Sequence, residues 1–363
     1  MPLNVSNKYV PSEVPPVPGR GLQAGSRFYI ERQNMELRSQ QLLRNAQAGR
    51  LFRIFAPRRS GKTSLCNRLT AYAQEQLSYQ TVSLDFYQID DSILQSAERL
   101  LGWFRETLSH ELKLTSAADW DRKTARGPDC TSYLKSGVIA QLETPLVVIM
   151  DDADRLFAYP DVAVEFFSLV RAWSEPRTGE AEEVWQKLRQ VIVYSTDVYI
   201  DFPINQSPFN RGKAIKPAAF DANQVHTLAQ RYGGNRFANW DEAASDRLIQ
   251  LSGGIPYLIQ LAFYHIYTGE VSLEALLTQP EVMMEVYGEH LKWMLSNLTS
   301  HSALLSAFKE IVYQGSAGAK VSGVAPLLAM KLLGLGVVRQ KGWSVEVSCE
   351  LYRQYFGQVL AGA

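Results

Sequence analysis

The chain has 363 residues, is 46% hydrophobic and 20% charged, and balances 37 Lys and Arg against 37 Asp and Glu. These fractions exclude wholesale disorder, and at roughly 100–200 residues per domain the length predicts two or three domains with ample core. Zero net charge removes the basic excess of a typical nucleic-acid or anionic-membrane binder and leaves only a local basic patch as a route to such partners.

Residues 1–27 hold five prolines and several glycines without apolar periodicity, and read as an extended arm. No apolar stretch follows a basic start, so no signal peptide is expected, and no run approaches the ~20 apolar residues that span a bilayer. Cys66, Cys130 and Cys349 are odd in number and far apart, with no CxxC pair. That pattern suits a reducing compartment and supplies no zinc framework. A soluble, cytoplasmic protein without membrane contact is the expectation.

From Phe28 to Phe220 the pattern alternates. Leu51–Phe55, Gln80–Phe86, Leu146–Met150 and Val191–Tyr194 are strand candidates, separated by helical stretches at Ser64–Gln76, Ile93–Leu112 and Pro160–Trp173. Apolar runs such as LVVIM fit a parallel sheet covered by helices on both faces, an α/β fold with βαβ crossovers. Residues 221–300 read as a helical domain: Ala222–Tyr232, Trp240–Ser252, Ile255–Thr268, Leu273–Gln279 and Tyr287–Leu298. In residues 301–363, helices at Ser302–Tyr313 and Gly323–Leu333 precede a Lys341-Gly342 turn between two β-rich runs. A last helix follows at Glu350–Leu360, completing the outline of a winged helix.

Ala56-Pro57-Arg58-Arg59-Ser60-Gly61-Lys62-Thr63, followed by Ser64, is a P-loop pattern with Ala56 in place of the first glycine. It follows a strand and opens a helix, where backbone N–H groups and the helix dipole converge on phosphate. Gly61 permits close approach, Lys62 suits the β- and γ-phosphates, and the Thr63 hydroxyl suits Mg²⁺. A basic turn capping a helix is the bland alternative. Leu146–Met150 ends in Asp151 and Asp152, a Walker B arrangement. A strand next to the P-loop strand would bring Asp151 to Mg²⁺ and Asp152 to the attacking water. For either acid alone a helix cap competes, and Asp154 is assigned to capping. Ser195 and Thr196, after Val191–Tyr194, suit a γ-phosphate sensor on a strand between those two. A Ser/Thr/Asp turn explains them equally well, and Asp85 carries the same ambiguity.

With these motifs the chain resembles the AAA-like domain family of STAND-type P-loop NTPases, of the type common in cyanobacteria, from about Tyr9 to Phe356. The resemblance also rests on Phe28-Tyr29-Ile30-Glu31-Arg32, Asp151-Asp152-Ala153-Asp154-Arg155-Leu156-Phe157 and Ser195-Thr196-Asp197-Val198-Tyr199-Ile200. It extends to Ile204-Asn205-Gln206-Ser207-Pro208-Phe209-Asn210 and Cys349-Glu350-Leu351-Tyr352-Arg353-Gln354-Tyr355-Phe356. Gly253-Gly254-Ile255-Pro256-Tyr257-Leu258 resembles the motif whose proline packs on adenine, and the segment holding Ile30 resembles the opposite wall. A Gly-Pro helix start and an ordinary core segment are their bland counterparts. Two features depart from the family: Asp152 stands where many relatives carry Glu, which implies slow hydrolysis, and the sequence ends at the winged helix, so sensor and effector are expected on separate proteins.

The resemblance implies an ATP/ADP- and Mg²⁺-dependent switch, closed with ADP and assembling into a homo-oligomer with ATP. A DNA-associated ATPase is the weaker alternative, because Gly323–Gly334 carries one charge, Lys331, and almost no base-reading side chains. A nucleotide-binding scaffold without hydrolysis is a third, opposed by intact Lys62, Thr63, Asp151 and Asp152. Arg58, Arg59, Arg155 and Arg171 are candidates for an arginine finger, each with exposed surface arginine as the commoner outcome.

Overall fold

A computed structural model describes residues 14–32, 34–47, 50–114, 127–195, 207–316 and 324–362. Its centre is a five-stranded parallel sheet built from β1 (Leu51–Phe55), β2 (Gln80–Asp85), β3 (Leu146–Asp151), β4 (Leu188–Tyr194) and β5 (Lys213–Ile215), in the order β2-β3-β4-β1-β5. Alternation along each strand divides its side chains between two cores. Leu146, Val148, Met150 and Ile192 face one core, while Phe52, Ile54, Val147, Ile149, Val191 and Val193 face the other. Helices Ala97–Glu111 and Pro160–Trp173 supply Phe104, Phe166 and Trp173 to the first. Helices Met35–Arg44 and Lys62–Leu77 supply Met35, Leu43, Leu65, Leu69 and Tyr72 to the second. Burial on both faces accounts for the continuous apolar runs.

The register brings the strands' C-terminal ends level. Phe55 pairs with Tyr194, and Asp85 with Asp151, so the segments that leave β1, β2, β3 and β4 emerge along one rim. This is where open α/β sheets bind ligands. The β4 strand lies between β3 and β1, as expected of the strand that ends at Tyr194, so the acidic strand is one removed from the P-loop strand rather than directly next to it. The intervening strand carries the charged stretch Leu188-Arg189-Gln190, which hid its beginning. Arg189 and Gln190 are buried there and donate to the carbonyls of Leu43 and Arg50.

A third core unites residues 220–360 with Leu22, Phe28, Tyr29 and Ile30. Its helices include Ala222–Tyr232, Glu242–Ser252, Pro256–Thr268, Leu273–Thr278, Pro280–Thr299, Ser302–Ser316 and Pro326–Leu335. The antiparallel pair Val338–Lys341 and Ser344–Val347 and the helix Glu350–Val359 follow. The expected single helix Ile93–Leu112 is two. Asp91–Leu94 ends, and Ser96 caps a new helix by accepting from the Arg99 N–H. The helix expected from Tyr287 starts seven residues earlier, with Pro280 in its first turn. Gly323, proposed to open another helix, lies outside the described residues. Cys66, Cys130 and Cys349 are buried free thiols.

Candidate functional site

At the sheet rim the P-loop turns through left-handed backbone at Arg59 (φ 69°) and Gly61 (φ 85°) before opening the helix at Lys62. A side chain on Gly61 would bring a Cβ within 3.2 Å of the Arg32 guanidinium, which itself donates to Ser60 O at 2.6 Å and Ala218 O at 3.3 Å. Arg32 therefore holds the loop from behind. Lys62 is buried and donates to the carbonyls of Ala56 (3.0 Å) and Pro57 (3.2 Å) across the loop mouth. Burial pulls its pKa down, opposed by the carboxylates of Asp154, Asp152 and Asp151. The N–H groups at the start of this helix have no partner within the helix and form an anion-binding end.

Thr63 donates its hydroxyl to Asp151 Oδ2 at 2.9 Å, while Asp151 Oδ1 accepts from the Asp152 N–H at 2.9 Å. Burial, then the Asp152 charge, lifts the Asp151 carboxyl to about 6. A hydroxyl and a desolvated carboxylate short of positive charge match a hard divalent cation that keeps waters and phosphate oxygens as its other ligands. Both donors fit Mg²⁺.

Asp152 adopts left-handed backbone (φ 51°) with no side-chain cap bond, so it does not serve as the helix cap weighed above. Burial and Asp154 raise its pKa, with Arg58 and Lys62 pulling the other way. Asp154 does not cap either. Its Oδ1 accepts from the Ser195 N–H at 3.0 Å and its Oδ2 lies 3.8 Å from the Arg58 guanidinium, which ties β4's exit to the P-loop. Asp85 takes the bland course, accepting from Tyr87 N and Gln88 Nε2 in the turn after β2. Ser195 is buried, and among the described residues its hydroxyl has no partner. Thr196, with residues 197–206 of the quoted motifs, lies outside the described residues.

Several of these groups line a cavity of about 360 Å³, whereas Asp85, Asp151 and Asp154 do not. From the nucleotide motifs it is lined by Arg58, Arg59, Gly61, Lys62, Thr63, Ser64, Asp152 and Ser195, and from the expected base pocket by Ile30 and Pro256. Ala56 is buried at the strand end, where its N–H donates to Tyr194 O, and Ser60 is buried behind the loop. Sequence reasoning missed about half of the wall, Arg32, Tyr87 and Phe220 included. Tyr257, Gln260 and Trp293 come from the C-terminal half, and Gly19, Arg20, Gly21 and Leu22 from the arm. Leu22 N donates to Ser64 Oγ at 3.0 Å and Leu22 O accepts from Asn67 at 2.9 Å. Gly21 is required there, because a Cβ would sit 2.8 Å from Thr63 Cγ2. Tyr257 directly follows Pro256, so the motif offered that signal; the arm offered only its glycines.

A parallel sheet flanked by helices, with a strand–loop–helix P-loop and an acidic strand end at one rim, defines the chain as an α/β protein of the Walker-type ATPase fold. A sequence model of the AAA-like domain matches residues 17–358, and the chain belongs to that family. Among solved structures, the Walker-type ATPase PABY2304 of Pyrococcus abyssi superposes with a TM-score of 0.64 at 14% identity, covering 92% of this chain and 97% of that one. The ORC1 protein of Aeropyrum pernix, solved in complex with DNA, gives 0.47 at 11% identity over 92% and 94% of the two chains. The RuvB Holliday junction branch migration motor of Thermotoga maritima gives 0.42 at 10% over 91% and 95%. At 14% identity the likeness to the Pyrococcus protein is one of fold. Among curated proteins, none matches the sequence. Among the described residues no helix is long and apolar enough to cross a membrane.

Proposed function

We propose that the chain binds ATP with Mg²⁺, hydrolyses it slowly, and acts as a STAND-type signalling or assembly switch. One observation carries this reading: a single cavity is walled by the P-loop on one side and by Pro256, Tyr257 and Trp293 on the other. A nucleotide in it would touch both halves, so two nucleotides that differ at the γ-phosphate can favour different arrangements of them. In this reading residues 28–220 form the nucleotide-binding domain, 221–300 a helical domain and 301–363 a winged helix. The phosphates meet Lys62 and the N–H groups from Ser60 to Ser64. Thr63 and Asp151 hold Mg²⁺, which neutralises charge on the phosphate oxygens. Ile30 and Pro256 flank the adenine, and Ser195 and Thr196 respond to the γ-phosphate. Asp152 orients the attacking water and accepts its proton.

The hairpin weakens the DNA alternative, since Glu346 pairs with both Arg339 and Lys341, the hairpin's two basic side chains. The partners of the switch are then a second copy of the chain and a separate sensor or effector. Light scattering on the pure chain with Mg-ADP, and then with a non-hydrolysable ATP analogue, tests the proposal. A larger species with the analogue alone, absent in Lys62→Ala, is expected. An unchanged mass with nucleotide bound would eliminate assembly, and failure to bind nucleotide would eliminate the whole reading.

A further inference from the structure

We infer that Arg58 is a catalytic residue supplied in cis, its guanidinium contacting the γ-phosphate of bound ATP, so that hydrolysis needs no arginine from a second subunit. The inference rests on the ATPase reading above and goes beyond it by naming the residue that stabilises the reacting phosphate.

The four arginines weighed from the sequence differ in what already occupies their donors; of the two others that line the cavity, Arg32 donates to Ser60 O and Ala218 O, and Arg20 stands on the arm rather than on the phosphate loop. Arg155 is a structural post, donating to the carbonyls of Phe86 (2.8 Å), Tyr87 (2.6 Å) and Ile89 (2.6 Å) and pairing with Asp91 at 2.6 Å. Arg171 donates to Ser207 O (2.7 Å) and Asn210 Oδ1 (2.8 Å) and lies 3.5 Å from Glu175. Arg59 lines the cavity, but its guanidinium is stacked 4.3 Å from the Tyr257 ring centroid and 5.5 Å from that of Trp293. Arg58 also lines the cavity. Among the described residues its guanidinium makes no hydrogen bond, and its ion pair with Asp154 at 3.8 Å is too long to be one. One-third of the side chain is exposed, so its five donors can turn to an incoming anion.

Its root, by contrast, is fixed. The Arg58 N–H donates to Gly334 O at 3.1 Å, and the adjoining Gly336 packs close to Pro57. The residue starts four positions before Lys62, on the loop that cradles the phosphates, and its charge acts on both Lys62 and Asp152. A cation here faces the region where negative charge shifts during transfer. In the step itself, water oxygen bonds to Pγ and the bond from Pγ to the β–γ bridging oxygen breaks. That electron pair leaves on ADP, and the proton lost by water passes to Asp152 and then to solvent. Arg58 donates hydrogen bonds to the γ-phosphate oxygens throughout and exchanges no proton.

The test compares Arg58→Gln and Arg58→Lys with wild type and Lys62→Ala, all as full chains with Mg²⁺. Arg58→Gln is expected to lower kcat about 100-fold or more while the Kd for ADP stays within about threefold. Binding of ADP with aluminium fluoride should be lost, and Arg58→Lys should recover part of kcat. Adding excess Lys62→Ala chains, whose Arg58 is intact, should not rescue Arg58→Gln. Specific activity of wild type should not depend on chain concentration. A kcat for Arg58→Gln within threefold of wild type, or rescue by Lys62→Ala chains, would overturn the inference. Should wild type bind nucleotide but hydrolyse no faster than Lys62→Ala, the ATPase reading fails separately. The γ-phosphate contact is then read from affinity: Arg58→Gln must lose about tenfold or more of the preference for ATP over ADP, and an unchanged preference overturns it.

Discussion

Replacing Asp151 with Asn should separate the stability of the site from its function. Burial and the Asp152 charge lift the Asp151 carboxyl from its ordinary 3.8 to about 6, so the folded chain holds this proton more tightly than the unfolded chain. That gap corresponds to about 3 kcal/mol, or about 1–3 kcal/mol once residual access to solvent is allowed for. The sign follows from proton counting. Between pH 3.8 and about 6 the folded chain binds more protons, so stability falls as pH rises through that window and the full penalty remains above it. Asparagine preserves the shape and can still meet the Thr63 hydroxyl and the Asp152 N–H, without charge at any pH. Near pH 7.5 in a chelator, Asp151→Asn should therefore be the more stable chain by about 1–3 kcal/mol, with the advantage vanishing toward pH 4. Saturating Mg-ATP should reverse the order, because only the carboxylate supplies a charged oxygen to the cation. Urea titrations at several pH values, with and without Mg-ATP, read both effects. A variant no more stable than wild type near pH 7.5 in the chelator would refute the argument that Asp151 is held against its own burial.

Lys62→Ala should weaken Mg-ATP binding at least 100-fold by titration with a fluorescent analogue, while leaving the melting temperature unchanged or raised, because the ammonium is desolvated and, among the described residues, its hydrogen bonds go to two loop carbonyls. Gly21→Ala forces a methyl against Thr63, with a nearest approach of 2.8 Å, and Thr63 is itself held by Asp151. The cost of about 1–3 kcal/mol should appear as a lower melting temperature and an increase in the Kd for Mg-ATP of about tenfold. Gly336→Ala combines left-handed backbone (φ 81°) with a Cβ 3.3 Å from Pro57. It should destabilise by about 1–2 kcal/mol in denaturant titrations and increase hydrogen exchange at the P-loop.

Apolar runs and turn residues made most of the fold legible. LVVIM announced β3, and Pro160 and Gly336 mark a helix start and a helix end where such residues belong. What stayed hidden was hidden for physical reasons. The start of β4 is charged because its arginine and glutamine are satisfied by carbonyls of neighbouring segments, a tertiary arrangement that periodicity does not encode. The three-residue β5 is too short to leave a pattern. Helix Met35–Arg44 buries Glu36, Ser39 and Gln40 beside Met35 and Leu43 and exposes Leu37, so its apolar residues leave no helical period. In the site, residues adjacent along the chain were legible as motifs, whereas Arg32, Trp293 and the arm enter from distances of dozens to hundreds of residues. The function given to Asp154 failed for the same reason: its partner is the amide of Ser195 on another strand.

Coupling between the two halves depends on where they meet. The C-terminal half reaches the P-loop through the Arg58 N–H to Gly334 O, the stacking of Arg59 on Tyr257 and Trp293, and the packing of Gly336 on Pro57. A backbone hydrogen bond contributes about 1 kcal/mol net and each cation–π contact about 0.5–1 kcal/mol, so these local contacts total about 2–3 kcal/mol. Shifting a two-state equilibrium from 1:99 to 99:1 takes about 5.5 kcal/mol, roughly twice that sum. Losing the loop contacts alone would thus change the balance by about two powers of ten without opening the molecule completely. Under the proposed switch, the γ-phosphate must draw on a further contact that differs between states. Arg58 provides one, because the residue whose side chain meets the phosphate is the residue whose backbone holds Gly334.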